Sequence, residues 1–428
     1  MRVGSPAERS SDQPPLQHML ASCEKLLSET GEASRVAIAS RVLDAYAMLD
    51  GAEKLAFFRA LLLQYGVEAE NVRAAYSAWN DAPTDTAMNK LFVATEPSRQ
   101  TLLRRMNLCS GGTLALVGMR KDLLAAIKID PDLMPIDADF THLFASWFNR
   151  GFLVMRRIDW DTSASILDKI VQYEAVHAIK DWDDLRRRLD PNDRRCYGFF
   201  HPATADEPLI FVEVALCRGV PGEIGPLLSP VISKEGSAVD TAVFYSISNC
   251  QKGLKGISFG NFLIKQVVQE LQRDLPRLQT FVTLSPMPRL REWLTQTAAD
   301  NETMAQTIAE LDAKNWQIDP QNKQVLWPQV MSLLTDYLHA KSLKTEALVD
   351  PVARFHLGNG ACVYQLNWPA DLSENGVGQS YGAMINYLYE PDRIEERHEA
   401  YVKDGVIAID AELQRTLNKF SADAVCAV

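Results

Sequence analysis

The sequence lacks the features that mark several large functional classes. Its seven cysteines, Cys23, Cys109, Cys196, Cys217, Cys250, Cys362 and Cys426, are scattered with no C-x-x-C pair. That spacing argues against a disulfide frame or a zinc site. No two of its seven histidines stand at metal-ligand spacing, so no metal centre is expected. No glycine loop is followed by Gly-Lys-Ser/Thr, and the dinucleotide pattern G-x-G-x-x-G is absent. Positive charge is in deficit, with a net charge of −11 and a pI near 5.3. A general attraction to nucleic acid or anionic lipid is therefore not expected, although a local basic patch remains able to hold a phosphorylated ligand. There is no apolar run of about 18 residues to span a membrane. The start, MRVGSPAERSSDQPPLQ, is polar and proline-bearing rather than a signal peptide, and the final Ala-Val is no peroxisomal tripeptide. A soluble, cytoplasmic protein is the expectation.

What is present is apolar material in quantity. At 428 residues and 47% hydrophobic, the chain is long enough for two or three domains with real cores. After a head over residues 1–15 without pattern, apolar residues recur at threes and fours from 16 to about 150. The helices Leu16–Leu27, Val36–Leu49, Ala52–Tyr65 and Glu68–Trp79 are predicted, broken at Asp50-Gly51 and Gly66, with four more to Phe148. This is an all-α domain, its aromatics Phe57, Phe58, Tyr65, Tyr76 and Trp79 spaced like core, its His18 and His142 structural. Assembly into an oligomer is its expected role.

From Gly151 to 428 strands and helices alternate, which predicts an α/β or α+β domain. Strands are expected over Phe152–Ile158, Cys196–Phe200, Leu209–Leu216, Ala242–Ile247, Thr280–Leu284, Val352–Leu357 and Ala361–Trp368. A largely helical stretch is expected over Arg289–Leu343, interrupted near Pro320 and Pro328. The stretch Thr241–Lys265 organises the domain. Its apolar strand leads through Gly253, Gly256 and Gly260, with Lys252 and Lys255 among them, into a helix whose inner face carries Leu263, Ile264, Val267, Val268 and Leu271. A small-residue loop at a helix N-terminus offers backbone N–H groups and the positive end of the helix dipole to an anion. Such glycines also serve as plain turn residues, and loop lysines are usually only solvated.

Two side chains are placed for chemistry. Ser285 lies in Ser285-Pro286-Met287-Pro288, just after a strand that would bring it to the carboxyl edge of a sheet. His356 lies ahead of Gly358-Asn359-Gly360, with a side chain suited to proton transfer near neutral pH. Taken singly, one reads as readily as a Ser-Pro turn and the other as a structural histidine.

The loop Lys255-Gly256-Ile257-Ser258-Phe259-Gly260 resembles the pyrophosphate loop of GNAT-type acyltransferases, with Ser258 in place of a glycine. Longer segments are similar to the malonyl-CoA decarboxylase family: FYSISNCQKGLKGISFGNFLIKQVVQEL, Leu284 to Pro288, VARFHLGNGACVYQLNWPADLS and GQSYGAMINYLY. Ser146 to Leu153, Glu174 to His177 and Arg194 to Tyr197 add to these. The resemblance covers most of the chain from about 140. It implies a helical N-terminal domain and a GNAT-like α/β catalytic domain that splits malonyl-CoA into acetyl-CoA and carbon dioxide with no metal or organic cofactor. Carried over by position, the coenzyme A loop falls on Lys255, Gly256, Ile257, Ser258, Phe259, Gly260 and Asn261, and the catalytic pair on Ser285 and His356. Backbone N–H groups along Ser246–Asn249 become candidates for holding the thioester oxygen. The family's tendency to form tetramers implies a homo-oligomer. An acyl-CoA N-acyltransferase and a silent acyl-CoA sensor are the rival readings.

Overall fold

The computed structural model describes residues 15–229, 239–257, 263–298, 301–313, 315–343 and 345–426. The chain divides into two compact units, one of residues up to 154 with 200–207 and 251–259, the other of 155–199, 208–250 and 260–428. Apart from Pro15, the head expected over residues 1–15 lies outside the described residues.

The first unit is helical: α1 (Pro15–Ser28), α2 (Glu32–Ala47), α3 (Gly51–Gln64), α4 (Ala69–Asp81), α5 (Asp85–Ala94), α6 (Ser98–Met106), α7 (Gly112–Ala126) and α8 (Met134–Trp147). Phe57, Phe58 and Tyr65 are buried as expected, with Leu116, Val117, Phe140 and Phe144. Tyr76 is not core. It stands exposed on α4, which packs chiefly against α5, and neither helix buries a single side chain. The Asp50-Gly51 break works as a start. The Asp50 carboxylate accepts from the Glu53 N–H at 2.8 Å while the Glu53 side chain accepts from the Asp50 N–H at 3.0 Å, a reciprocal cap that satisfies two donors of α3.

In the second unit the elements run β1 (Val154–Ile158), α9 (Ala164–Tyr173), α10 (Trp182–Leu189), β2 (Arg194–Phe200), β3 (Pro208–Cys217), α11 (Gly225–Leu228), β4 (Thr241–Asn249) and α12 (Leu263–Asp274). There follow β5 (Thr280–Thr283), β6 (Ser285–Pro286), α13 (Leu290–Thr297), α14 (Glu302–Asp312), α15 (Pro320–His339) and α16 (Pro351–Gly358). The last are β7 (Cys362–Asn367), α17 (Glu374–Ser380), β8 (Met384–Leu388), α18 (Ile394–Asp404) and α19 (Ala411–Cys426). The strands make one mixed sheet in the order β1-β2-β3-β4-β5-β8-β6, with β7 also on β8. A helical first unit followed by a mixed α/β unit is the two-part architecture the resemblance implies.

β4 is the axis of the sheet. It is antiparallel to β3 along its length and parallel to β5 only over Thr241–Phe244, opposite Thr280–Thr283. Beyond Phe244 β4 and β5 separate, and among the described residues one edge of β4 has no strand on it. The α12 face predicted to be apolar, Leu263, Ile264, Val267, Val268 and Leu271, is buried.

In this second unit two expectations fail. Val352–Leu357 is not a strand but the body of α16. Its short apolar run suits either form, and the local signals decide: the Asp350 carboxylate accepts from the N–H groups of Val352 at 2.7 Å and Ala353 at 3.2 Å, and Pro351 opens the helix. Nor does Pro328 interrupt its helix; it lies inside α15. Interior proline costs about 3 kcal/mol, but α15 buries Leu326, Val330, Met331 and Leu334, each worth about 1.5–3 kcal/mol. Burial wins.

Candidate active site

Period-two alternation puts residues i and i+2 of a strand on one face. Thr283 and Ser285 are such a pair, and the Ser285 hydroxyl donates to Thr283 Oγ1 at 2.9 Å. On β8 and just past its end, Tyr387 and Tyr389 are another. The strands are held together at this point by side chains: Thr283 Oγ1 accepts from the Tyr387 N–H at 3.1 Å, and the Asn386 amide donates to the Thr283 carbonyl at 2.8 Å.

Into this face α16 delivers His356. Its Nε2 lies 2.9 Å from Ser285 Oγ and its Nδ1 2.8 Å from the Tyr389 hydroxyl. The Tyr387 ring stacks on the imidazole at 4.5 Å between centroids and 25° between planes. The Ser285 proton is committed to Thr283, so Ser285 Oγ accepts from His356 Nε2–H. Nδ1 then accepts from the Tyr389 hydroxyl. This fixes one neutral tautomer, and burial alone pushes the imidazole down to about 3. Burial also pushes the Tyr389 phenol well above its ordinary value. The result is a neutral hydrogen-bonded line, Tyr389 to His356 to Ser285 to Thr283.

Ser285 and His356 line a cavity of about 370 Å³ whose other walls include Val176, Tyr245, Ile247, Asn249 and Phe355. Ile247 and Asn249 line it from the edge of β4 that carries no strand among the described residues. Cys250 donates to the Leu209 carbonyl at 2.9 Å and Asn249 stands opposite Ile210. Antiparallel alternation therefore gives the Ser246 and Ser248 N–H groups to β3 and turns those of Ile247 and Asn249 away from it. On the other side of the strand, the Ser246 hydroxyl donates to Glu174 at 2.7 Å and the Ser248 hydroxyl at 3.2 Å. Glu174 also accepts from the N–H groups of Val176 and His177, each at 2.8 Å, which ties a cavity-wall segment to β4.

The loop belongs to the first unit. Lys252–Leu254 form a 3-10 turn, and Lys252 and Lys255 are exposed. Ser258, Phe259, Gly260 and Asn261 lie outside the described residues. The glycines have separate reasons. Gly256 has φ +80°, and a Cβ at Gly253 would sit 1.9 Å from the Val117 carbonyl oxygen of α7. Amides of Leu254, Lys255 and Ile257 already donate to Gln251, Lys252 and Leu254, so they are spent within the turn. Among the described residues, no group of three or more His, Cys, Asp or Glu is placed to hold a metal ion, and no helix is long and apolar enough to cross a membrane.

The sequence nominates Ser285 and His356, and the fold brings the two side chains into contact. Sequence reasoning missed Thr283, Glu174, Tyr387 and Tyr389, although Thr283-x-Ser285 and Tyr387-x-Tyr389 carry the period-two signal.

Residues 151–426 match the model for the malonyl-CoA decarboxylase C-terminal domain and 65–148 that for its N-terminal domain. A mitochondrial malonyl-CoA decarboxylase of Anser anser anser is 34% identical over 359 residues, 77% of this chain and 71% of that protein. The crystal structure of malonyl-CoA decarboxylase from Rhodopseudomonas palustris superimposes with a TM-score of 0.88 at 50% identity, covering 94% of this chain and 99% of that one. The enzyme from Agrobacterium vitis gives 0.87 at 46% identity, covering 92% and 98%. With a family model spanning the larger part of its length and solved relatives aligned nearly end to end, the chain belongs to the malonyl-CoA decarboxylase family.

Proposed function

We propose that this protein decarboxylates malonyl-CoA to acetyl-CoA without a metal or organic cofactor, using Ser285 and His356. The observation that carries the reading is the neutral Tyr389–His356–Ser285 line at a cavity lined by Ile247 and Asn249, whose N–H groups face away from β3. When the bond from C2 to the carboxylate breaks, its electron pair moves into the thioester as an enolate. The developing oxygen charge needs fixed donors, and the amides of Ile247 and Asn249 are suited to it. The carbon needs a proton. The Ser285 O–H turns from Thr283 to C2 and supplies it there, while His356 Nε2–H passes to Ser285 Oγ and the Tyr389 proton to Nδ1. An enolate carbon is far more basic than a phenolate, so the transfer runs downhill even in a buried site, and proton uptake from solvent restores Tyr389. The test is purified protein with malonyl-CoA alone: acetyl-CoA should form, and a persistent substrate would defeat the reading.

The carrier is held by Lys255 to Asn261. Lys255→Ala is expected to raise KM for malonyl-CoA about tenfold with little change in kcat, since it removes one charged contact remote from the reacting carbon. An unchanged KM would remove Lys255 from the site.

The helical unit is proposed to mediate self-association with a second copy of the chain. The α4–α5 hairpin buries none of its side chains, and Phe92 and Val93 are 77% and 70% exposed. Phe92→Asp with Val93→Asp should lower the mass seen by light scattering; a subunit number equal to wild type would sink the proposal.

A further inference from the structure

The start of the loop, from Gly253 to Lys255, is held by one buried side chain of the helical unit. Arg120, on α7, is only 3% exposed. Its Nη1 donates to the carbonyls of Gly253 at 2.7 Å and Lys255 at 2.9 Å. Its Nε and Nη2 donate to the two oxygens of Asp137 at 2.7 and 3.3 Å, and Nη2 also to Thr141 Oγ1 at 3.2 Å. All five guanidinium N–H groups are thereby used. Two of them are used on the backbone of a loop more than a hundred positions away in sequence.

We infer that Arg120 is a positioning residue for the nucleotide end of the substrate, setting the loop conformation through the Gly253 and Lys255 carbonyls. The inference rests on reading that loop as the coenzyme A site. A trans peptide sets its C=O and N–H on opposite sides. Fixing the Lys255 carbonyl on Arg120 therefore turns the Gly256 N–H away from α7. That amide, unlike those of Leu254, Lys255 and Ile257, makes no bond within the turn, and Gly256 is exposed. The positive φ of Gly256 and the close approach of Gly253 to the Val117 carbonyl belong to the same arrangement. Only a planar fork makes these contacts at once; a lysine, with three donors on one nitrogen, cannot. The helical unit then does more than assemble subunits, because it shapes the loop that reads the carrier.

The experiment compares malonyl-CoA with malonyl-pantetheine, which keeps the thioester but lacks the pyrophosphate and adenosine. Arg120→Gln is expected to raise KM for malonyl-CoA about ten- to a hundredfold, the range of one or two charged hydrogen bonds, with kcat moving far less. The advantage of malonyl-CoA over malonyl-pantetheine in kcat/KM should shrink by the same factor, and Arg120→Lys should fall between. Equal losses on both substrates, or an unchanged preference, would overturn the inference. Should Arg120→Gln fail to fold, Asp137→Asn keeps the guanidinium but loosens its anchor. It should narrow the preference in the same direction by a smaller factor, and an unchanged preference in that folded variant is equally fatal. Lys255→Ala separates the two failures. If it leaves the preference untouched, the loop is not the nucleotide site; if it narrows the preference while the Arg120 variants do not, only the role of Arg120 falls.

Discussion

Exchange of His356 for alanine is expected to lower turnover of malonyl-CoA at least about a hundredfold, the usual cost of losing a positioned proton donor, and Ser285→Ala by a similar factor. The two side chains are 2.9 Å apart and share one proton line, so they should behave as one unit. The double variant should then be little worse than either single one. Independent roles predict instead that the two losses multiply. The measurement is steady-state acetyl-CoA formation by the single and double variants, with circular dichroism to establish that each is folded. The control matters because His356 is buried and its removal strands the Tyr389 hydroxyl in an apolar surround, at a cost of about 1–3 kcal/mol. Wild-type turnover in either folded single variant would remove that residue from the chemistry.

Strands and helices with strong periodicity were legible in the sequence, β4 and α12 most clearly, because each buries one face or both and its apolar spacing records that burial. α16 was misread because an eight-residue element is too short for periodicity to separate helix from strand. The information lay in Asp350 and Pro351, whose capping chemistry outranks a run of apolar residues. The Ser285–His356 contact could not be read locally at all, since 71 residues separate the two and it forms only where α16 sets His356 against Ser285 of β6. The resemblance supplied that juxtaposition, and the sheet gives its physical cause. The loop glycines were read as room for a phosphate. One of them, Gly253, also allows the close approach of α7, a tertiary demand that no loop motif encodes.

Stability should depend on pH through His356, with a sign that follows from its burial. The imidazole is held at about 3 in the folded protein, below its ordinary 6.5, so folding favours the neutral form. Its contribution is complete above about pH 6.5 and is lost progressively as pH falls toward 3, because in that window the unfolded chain binds the extra proton. The gap corresponds to roughly 5 kcal/mol at most. Raw acid curves will hide this. Glu213, raised by burial to about 8, and Asp350, raised by burial to about 6, gain stability as pH falls across part of the same range. The informative quantity is therefore a difference. His356→Gln keeps a polar group near Ser285 and Tyr389 but cannot titrate, so subtracting its urea midpoints from those of wild type between pH 7 and 4.5 cancels the carboxyl contributions that both proteins share. The wild type should lose ground to the variant steadily as the pH is lowered. Parallel curves would mean that His356 titrates alike in the folded and unfolded chains. The neutral proton line from Tyr389 to Ser285 would then have to be replaced by an imidazolium acid, which predicts a fall in kcat/KM above pH 6.5 that the neutral line does not.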